Sequence, residues 1–277
     1  MKQFCIIIPV YKNELDCVEK ISLKRLYDVI GTKGYDIYLV CPPSLDKTQY
    51  DAIYPGMDTE CFDAKYFTDT AAYSQLCISY DFYNRFSDYE YILIYQLDCY
   101  LFTDDIAEWC SRGYDYIGAP IVSTDCGWTT LKKKNEKTTW QPYVGNGGLS
   151  LRKIDTFKEI TDPDGEFRRY YKLTDDTLSV VRWEDKYFCN DLYDYYKLRI
   201  PRWDIACSFA LDMSVDVIYN YLGWKGQPMG IHSVDKNIRW WKKHIPEFAD
   251  PDVIAYCEKK HEEFFKLYYD EHDSTLR

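Results

Sequence analysis

The sequence predicts an α/β protein built on an open, mostly parallel β-sheet flanked by helices. The first sign is an apolar run at Phe4–Pro9, which is rich in β-branched residues and typical of a strand covered on both faces. A second such run, Tyr91–Tyr95, has the strongest strand pattern of the chain. Strand and helix patterns alternate between the two runs, and this alternation indicates parallel strands joined by crossover helices.

The elements of the first half follow in order. Asn13 is expected to cap a first helix, which Gly31 ends. A second strand is predicted over Tyr35–Cys41 and a weaker third strand over Thr59–Phe62. The helical spacing of apolar residues over Ala71–Phe86 then predicts another helix before the fourth strand begins.

The second half of the chain is less regular. Residues 123–141 are polar and contain several lysines. A solvated surface loop is the favoured interpretation, and a lid or acceptor loop that carries Trp128 and Trp140 is the alternative. Further helices are expected over Asp185–Lys197 and Asp252–Tyr269. Because we find no repeat, low-complexity tract or linker, we expect one compact domain with a decorated second half.

Composition limits the classes of partner. The formal net charge of −11 disfavours nonspecific binding to nucleic acid, which depends on Lys and Arg neutralising phosphates. The 11 cysteines include no CxxC pair, zinc-finger spacing or disulfide ladder. The sequence has no signal peptide pattern, and no segment approaches the roughly 20 apolar residues that span a bilayer. A reducing, cytoplasmic setting without a transmembrane segment is the expectation.

Two segments follow the ends of predicted strands, where open α/β sheets bind their ligands. Pro9, Val10 and Tyr11 follow the first strand, and Gln96-Leu97-Asp98 follows the fourth. A carboxylate such as Asp98 is costly to bury unless it is paired, and a bound divalent cation would offset that cost. The equally weighted alternative is that Asp98 caps the next turn.

Two further segments carry candidate chemistry. Gly147 and Gly148 form a turn before a strand, where glycines allow positive φ and close approach of the backbone to a ligand, although a structural turn is the alternative. Neither a Gly-Lys-Ser/Thr ending nor a GxGxxG pattern is present. Trp183, Glu184 and Asp185 precede a helical run. One carboxylate is a candidate general base and Trp183 a candidate platform for a sugar ring, although acidic residues also suit a helix start.

A thioether and an imidazole lie three residues apart, at Met229 and His232, shortly before Lys236. This group has the residue types to hold a divalent metal and to meet a phosphate. The alternatives are a hydrogen-bonded structural histidine and a methionine packed in the core.

Taken in order, these segments resemble the GT-A class of nucleotide-sugar-dependent glycosyltransferases. The similarity covers four motifs: Ile6–Tyr11 resembles the strand that binds the nucleotide base, Gln96–Asp98 the metal-binding DXD motif, Gly147–Ser150 the glycine loop near the donor sugar, and Glu184–Asp185 the xED motif. Met229–Lys236 is similar to the Met-x-x-His-Ser segment of metal-dependent inverting galactosyltransferases of animals. A little-characterised bacterial or viral branch of such proteins also fits. The chain departs from the DXD pattern in one position, since Gln96 replaces the first Asp.

The resemblance implies a GT-A-like domain over residues 1–277, with a nucleotide-binding half (1–120), an acceptor and catalytic half (121–250) and a C-terminal helix (251–277). It implies a UDP-sugar donor, a glycan or lipid-linked glycan acceptor, and Mn²⁺ or Mg²⁺ as cofactor. The implied site residues are Asp185 and Glu184 for catalysis; Pro9, Val10, Tyr11, Gln96, Asp98, Gly147, Gly148 and Lys236 for the donor; Trp183 for the acceptor; and Asp98, His232 and Met229 for the metal.

Two alternative functions remain open from the sequence, together with the role of one basic segment. A GT-A-like protein that binds nucleotide or glycan without turnover would have no need of the base Asp185. A nucleotidyltransferase usually carries a glycine- and lysine-rich loop after the first strand, and Pro9–Asn13 lacks it. The basic, tryptophan-containing segment Arg239–His244 fits peripheral contact with a membrane or a lipid-linked acceptor, and a solvated surface patch is the favoured alternative.

Overall fold

The computed structural model describes residues 1–122, 143–192, 196–213 and 215–273, with the side chains of 175, 191 and 264–273 left undescribed. The loop predicted over residues 123–141, with Trp128 and Trp140, therefore lies outside the described residues. Among the described residues, no helix combines the length and the apolar character needed to cross a bilayer.

The core of the fold is a six-stranded sheet with the strand order β3-β2-β1-β4-β9-β6. The described strands are β1 (Lys2–Pro9), β2 (Ile37–Cys41), β3 (Asp58–Cys61), β4 (Tyr89–Tyr95), β5 (Tyr100–Leu101), β6 (Tyr116–Gly118), β7 (Pro120–Ile121), β8 (Tyr143–Val144), β9 (Leu149–Lys153), β10 (Ala210–Leu211) and β11 (Gly230–Ile231). Strands β1 to β4 pair in parallel, whereas β9 runs antiparallel to both β4 and β6. The mostly parallel α/β sheet predicted from the sequence is confirmed.

Helices cover both faces of this sheet. The described α-helices are α1 (Cys17–Ile30), α2 (Thr48–Ile53), α3 (Thr70–Cys77), α4 (Tyr80–Arg85), α5 (Ile106–Ser111), α6 (Ile154–Thr161), α7 (Glu166–Tyr171), α8 (Asp175–Ser179), α9 (Glu184–Lys186), α10 (Trp203–Phe209), α11 (Ile238–Trp241) and α12 (Pro251–Asp273). The part of β1 from Phe4 to Ile8 is apolar because both of its faces are buried. Ile6 and Ile8 belong to one core cluster with α1 and α5, and Cys5 and Ile7 belong to the opposite cluster with α3, α4 and α6.

Local polar side chains decide where several helices begin. Helix α1 starts after Asp16 rather than after the predicted cap Asn13, because Asp16 and Glu19 cap each other's backbone N–H groups. Asn13 instead accepts a hydrogen bond from the backbone of Asp46 at 3.0 Å. The predicted helix over Ala71–Phe86 is divided in two, since Ser79 caps a new helix by accepting from a backbone N–H of α4.

The second half adds short elements. The helix predicted over Asp185–Lys197 is the short α9 followed by a π-helical turn, Tyr187–Asp191, and residues 193–195 lie outside the described part of the chain. The predicted C-terminal helix is confirmed as α12. A small sheet in the order β10-β11-β5 packs beside α12 in a third core cluster, which includes Val253 and Cys257.

The cap of α1 gives a test of this part of the fold. Removing an N-cap side chain costs about 1 kcal/mol, and Asp16 also accepts a hydrogen bond from Tyr256 of α12 at 2.8 Å. We therefore expect Asp16→Ala to lower the free energy of unfolding by about 1–2 kcal/mol in urea denaturation. Asn13→Ala is the matched control with a smaller expected loss. Equal losses in the two variants would contradict this account.

Candidate active site

A cavity of about 330 Å³ opens at the carboxyl ends of β1 and β4. Pro9, Val10 and Tyr11 line it from one strand end, and Gln96 and Asp98 line it from the other. The backbone N–H of Val10 donates to the carbonyl of Val40 at 2.9 Å, which fixes the chain as it leaves the sheet. The Tyr11 side chain is 65% exposed, so its ring is open to a ligand. The structure thus brings together in one cavity the two strand-end segments that the sequence singled out as candidate binding positions.

His232 meets three side-chain groups beside this cavity. Its Nε2 atom lies 3.2 Å from Asp98 Oδ1 and 3.2 Å from Gln96 Oε1, and its Nδ1 atom lies 3.0 Å from Asp212 Oδ1. The small sheet causes this proximity, because β5 begins two residues after Asp98 and pairs with β11, which directly precedes His232. The backbone N–H of Val234 also donates to the carbonyl of Asp98 at 3.1 Å. Residues 134 positions apart are held by main-chain contacts as well as by side chains.

The chain turns sharply after His232. Ser233 has φ 51°, in the left-handed region that non-glycine residues seldom adopt. Its Oγ atom lies 3.1 Å from His232 Nδ1, on the same side of the ring as Asp212. This turn directs Nε2 toward Asp98 and Gln96.

The cluster is strongly polarised. Burial alone would lower the pKa of His232, but the charges of Asp98 and Asp212 raise it to about 10. Burial likewise opposes ionisation of Asp98 and Asp212, yet the positive charge of His232 holds the pKa of both carboxyls below their usual range. The two carboxylates therefore favour the charged form of the His232 ring.

The donor atoms around Nε2 suit a divalent cation. A carboxylate oxygen and an amide oxygen are ligands that Mn²⁺ and Mg²⁺ favour, and imidazole is a common ligand of transition metals. The contact between Nδ1 and Asp212 is the outer hydrogen bond that usually orients a metal-binding histidine. Among the described residues no group of three or more His, Cys, Asp or Glu side chains could hold a metal ion. The protein side chains therefore fit a partial ligand set, which substrate phosphates commonly complete.

A hydrogen-bond chain connects this cluster to the glycine turn. Asp212 Oδ2 accepts from the side-chain amide of Asn146 at 3.0 Å, and Asn146 Oδ1 accepts from the backbone N–H of Gly148 at 3.0 Å. The carbonyl of Gly148 in turn accepts from the backbone N–H of Gln96 at 2.9 Å. The turn and the His232 cluster are thus one connected unit.

Glycine is needed at positions 147 and 148 because neighbouring side chains leave no room for a Cβ atom, not because of the backbone angles. Neither has a positive φ, so that part of the sequence interpretation is wrong. A Cβ atom on Gly148 would lie 2.1 Å from His232 Nε2, and one on Gly147 would lie 2.6 Å from Glu184 Oε1. The turn therefore lies between the His232 cluster, which contacts Gly148, and the Glu184–Asp185 pair, which contacts Gly147.

Glu184 and Asp185 have different surroundings. Glu184 is buried; its Oε1 accepts from Arg152 at 2.8 Å and its Oε2 from the Ser74 hydroxyl at 3.0 Å. Arg152 is fully buried and also donates to the Tyr83 hydroxyl at 3.1 Å. Asp185 is half-buried, and its carboxylate accepts from the backbone N–H groups of Gly147 at 3.1 Å and Lys186 at 2.7 Å.

The environment of Asp185 weakens its acidity. Burial and the negative charge of Glu184 raise the pKa of Asp185 to about 7, although the backbone N–H groups of Lys186 and Gly147 and the charge of Arg152 act in the opposite direction. A carboxylate with a pKa near neutrality has the proton affinity that a general base requires at physiological pH.

The remaining predicted residues have varied positions. Trp183 is 47% exposed at the start of α9, beside Glu184. Met229 is buried in the first core cluster, as thioether packing predicts, and its role as a ligand stays a prediction. Lys236 is half-buried, with its Nζ atom 3.4 Å from Ser233 Oγ, and it lines a second cavity of about 260 Å³.

The sequence interpretation missed several residues of this region. Asp212 had a usable signal, because it directly follows the apolar run Phe209–Leu211. Asp98 likewise follows an apolar strand. Arg152 and Asn146 carry no such local signal. Lys260 lines the main cavity from α12, far along the chain from the motifs.

Solved structures resemble this fold. Mouse xyloside xylosyltransferase 1 in its apo form matches with a TM-score of 0.53 and 12% identity, over 83% of this chain and 97% of that one. The galactosyltransferase LgtC, in complex with donor and acceptor sugar analogues, matches with a TM-score of 0.50 and 9% identity, over 82% of this chain and 86% of that one. The apo bifunctional glycosyltransferase WbbM matches with a TM-score of 0.50 and 12% identity, over 94% of this chain and 52% of that one. The chain therefore has a GT-A-like glycosyltransferase fold.

The chain belongs to a family described as proteins of unknown function, DUF5672, whose profile matches residues 56–232. The matched segment contains Asp98, the glycine turn, Glu184 and Asp185, and it ends at His232. No curated protein matches the sequence.

The close packing of the glycine turn can be tested at Gly148. We expect Gly148→Ala to displace the His232 ring and to weaken Mn²⁺ binding roughly 10- to 100-fold, as the loss of an orienting contact usually does. Titration calorimetry with Mn²⁺ measures this. Gly165→Ala is the control, because its added carbon would come no closer than 3.1 Å to Asp162. Unchanged Mn²⁺ affinity in Gly148→Ala would show that the ring position is unimportant for the cation.

The raised pKa of Asp185 predicts a pH effect on stability. Because the folded state favours the protonated carboxyl, Asp185 makes the protein less stable as pH rises from about 4 to about 7, with no further change above that pH. Asp185→Asn removes this ionisation but keeps an oxygen for the Gly147 N–H group. We expect the melting temperature of the variant minus that of the wild type to increase from about pH 4 to about pH 7 and then to level off. A constant difference between pH 4 and 8 would refute the assignment.

Proposed function

We propose that this protein is a metal-dependent glycosyltransferase that moves a sugar from a nucleotide diphosphate donor, with uridine as the expected base, to a hydroxyl acceptor. The single observation that carries the proposal is the 3.2 Å approach of Asp98 Oδ1 and His232 Nε2 at a cavity on the carboxyl edge of a GT-A-like sheet. The half-buried carboxylate of Asp185 lies on the other side of the Gly147–Gly148 turn.

In this proposal the donor nucleotide occupies the main cavity. The exposed ring of Tyr11 stacks on the base, and Pro9 and Val10 form the wall beside it. Residues 1–120 then contribute most of the donor site, residues 121–250 contribute the acceptor side, and residues 1–277 act as one domain. The glycine turn lies near the donor sugar, with Lys236 near the phosphates.

Asp98 and His232 would hold the cation, with Gln96 contributing its amide oxygen. Mn²⁺ or Mg²⁺ bound there would neutralise negative charge on the departing nucleoside diphosphate. Asp212 keeps the imidazole oriented through Nδ1, so that Nε2 points at Asp98 and Gln96, the two side chains that line the cavity. This role for Asp212 explains why a buried carboxylate, costly by itself, is present in the cluster.

Asp185 is the proposed base. It accepts the proton of the acceptor hydroxyl while that oxygen forms a bond to the anomeric carbon, and the bond from this carbon to the diphosphate oxygen breaks. Attack from the face opposite the leaving group inverts the anomeric configuration. Glu184 positions Asp185 rather than taking the proton, because Arg152 and Ser74 engage both of its oxygens. Trp183 offers a flat surface for the acceptor sugar.

The acceptor we propose is a glycan or a lipid-linked glycan. The basic segment Arg239–His244 would then provide peripheral contact with a membrane surface.

Donor binding and turnover test the proposal together. We expect a panel of nucleotide sugars to include one that raises the melting temperature in the presence of Mn²⁺ and that is slowly hydrolysed or transferred. Asp98→Ala and His232→Ala should lower the metal-dependent rate at least a hundredfold, since both remove a ligand. Asp88→Ala is the matched control, because it removes an exposed carboxylate at the opposite end of β4.

Asp185→Asn separates catalysis from binding. A catalytic base predicts donor affinity near the wild-type value with a rate at least a hundredfold lower. A non-catalytic nucleotide- or glycan-binding protein predicts ligand affinity without turnover even in the wild type. Wild-type rates in Asp98→Ala and His232→Ala would reject the proposed function.

A further inference from the structure

The main cavity is partly formed by the C-terminal helix α12. This helix lies more than 150 residues after Asp98 in the sequence, yet Lys260 lines the cavity beside Asp98 and Gln96. Val253 and Cys257 pack on the third core cluster, and Tyr256 donates to the N-cap carboxylate Asp16 at 2.8 Å. The spacing of these contacts keeps one face of α12 on the cavity wall.

The ammonium of Lys260 has a fixed position. Its Nζ atom lies 2.8 Å from Oδ2 of Asp235, which is itself 2% exposed and accepts the backbone N–H of Lys236 through Oδ1 at 2.9 Å. A lysine ammonium has three N–H donors, and Asp235 engages one side of it. Asp235 therefore holds Lys260 in place while leaving donor capacity for an anion in the cavity.

The other lysine of the cavity is paired differently. Lys12 lies 2.8 Å from Glu19 and 3.3 Å from Asp16, so two carboxylates balance its charge. The lining also contains the carboxylates of Asp69 and Asp98. Lys260 has one carboxylate within ion-pair distance where Lys12 has two, although the charges of Asp16 and Asp98 also act on Lys260. With fewer direct partners, Lys260 keeps more donor capacity for an anion than Lys12.

We propose that Lys260 binds the diphosphate of the donor and that α12 is thereby one wall of the donor site. This inference rests on the proposed function, because it takes a nucleoside diphosphate as the occupant of the cavity. Asp235 acts as a positioning residue, since it reaches the diphosphate only through Lys260. The donor site then combines the DXD-like turn, the His232 segment and the C-terminal helix.

The test compares UDP and GDP with their nucleosides, uridine and guanosine, in titration calorimetry with Mn²⁺. Loss of one charge-assisted contact is expected to weaken diphosphate binding of Lys260→Ala roughly 10- to 100-fold, while nucleoside affinity stays unchanged. Lys260→Arg keeps the positive charge and should retain most of the affinity. Lys259→Ala is the matched control, because that neighbouring side chain is 78% exposed and pairs with Glu263.

A second variant distinguishes loss of the phosphate contact from loss of folding. Lys260→Ala leaves the buried Asp235 without its ion pair, so Lys260→Ala combined with Asp235→Asn removes the unpaired charge. The double variant should melt near the wild-type temperature and still lose diphosphate affinity. Diphosphate binding at wild-type strength in either variant overturns the inference alone, as does an equal loss for nucleoside and diphosphate. A wild-type protein that binds none of these diphosphates overturns the proposed function as well.

Discussion

The candidate site depends on the packing of two glycines between two groups of charged side chains. Gly148 meets the ring of His232 on one side, and Gly147 meets the carboxylate of Glu184 on the other, at distances that exclude any Cβ atom. The His232 cluster and the Glu184–Asp185 pair therefore pack against the same two residues of backbone from opposite sides. Protein interiors tolerate such close packing only where the residue volumes match.

On each side of the turn, different partners offset the cost of burying a charged side chain. Arg152 is fully buried but meets Glu184, Tyr83 and Ser150, and removing one partner of such a pair typically costs about 3–5 kcal/mol. His232 lies between Asp98 and Asp212. The first group is fully satisfied by protein atoms and fixes the start of α9. The second group reaches the main cavity through Asp98 and Gln96, whereas the His232 ring lies buried behind them.

Local pattern predicted the elements whose signal lies within a few residues. Phe4–Pro9 and Tyr91–Tyr95 read as strands because both faces are buried, and the strand-end rule correctly brought Tyr11 and Asp98 into one cavity. Helix boundaries were less accurate, since the choice between Asn13 and Asp16 depends on which carboxyl or amide meets a free N–H group. The roles assigned to individual site residues stay predictions.

The long-range contacts that bring residues to the site had no such signal. Lys260 lies on a helix whose position depends on contacts with the third core cluster, and no spacing within the helix indicates the cavity. Asp212 reaches His232 because β10 pairs with β11, two strands of two residues each that are too short for a sequence pattern.

The position of Asp212 also bears on why position 96 is an amide rather than the first Asp of the DXD pattern. Asp98 and Asp212 already place two carboxylates around His232, and a third carboxylate at position 96 would add like-charge repulsion in a half-buried place. The neutral amide of Gln96 places an oxygen 3.2 Å from Nε2 without that repulsion, and the second carboxylate of the cluster is Asp212, directly after β10.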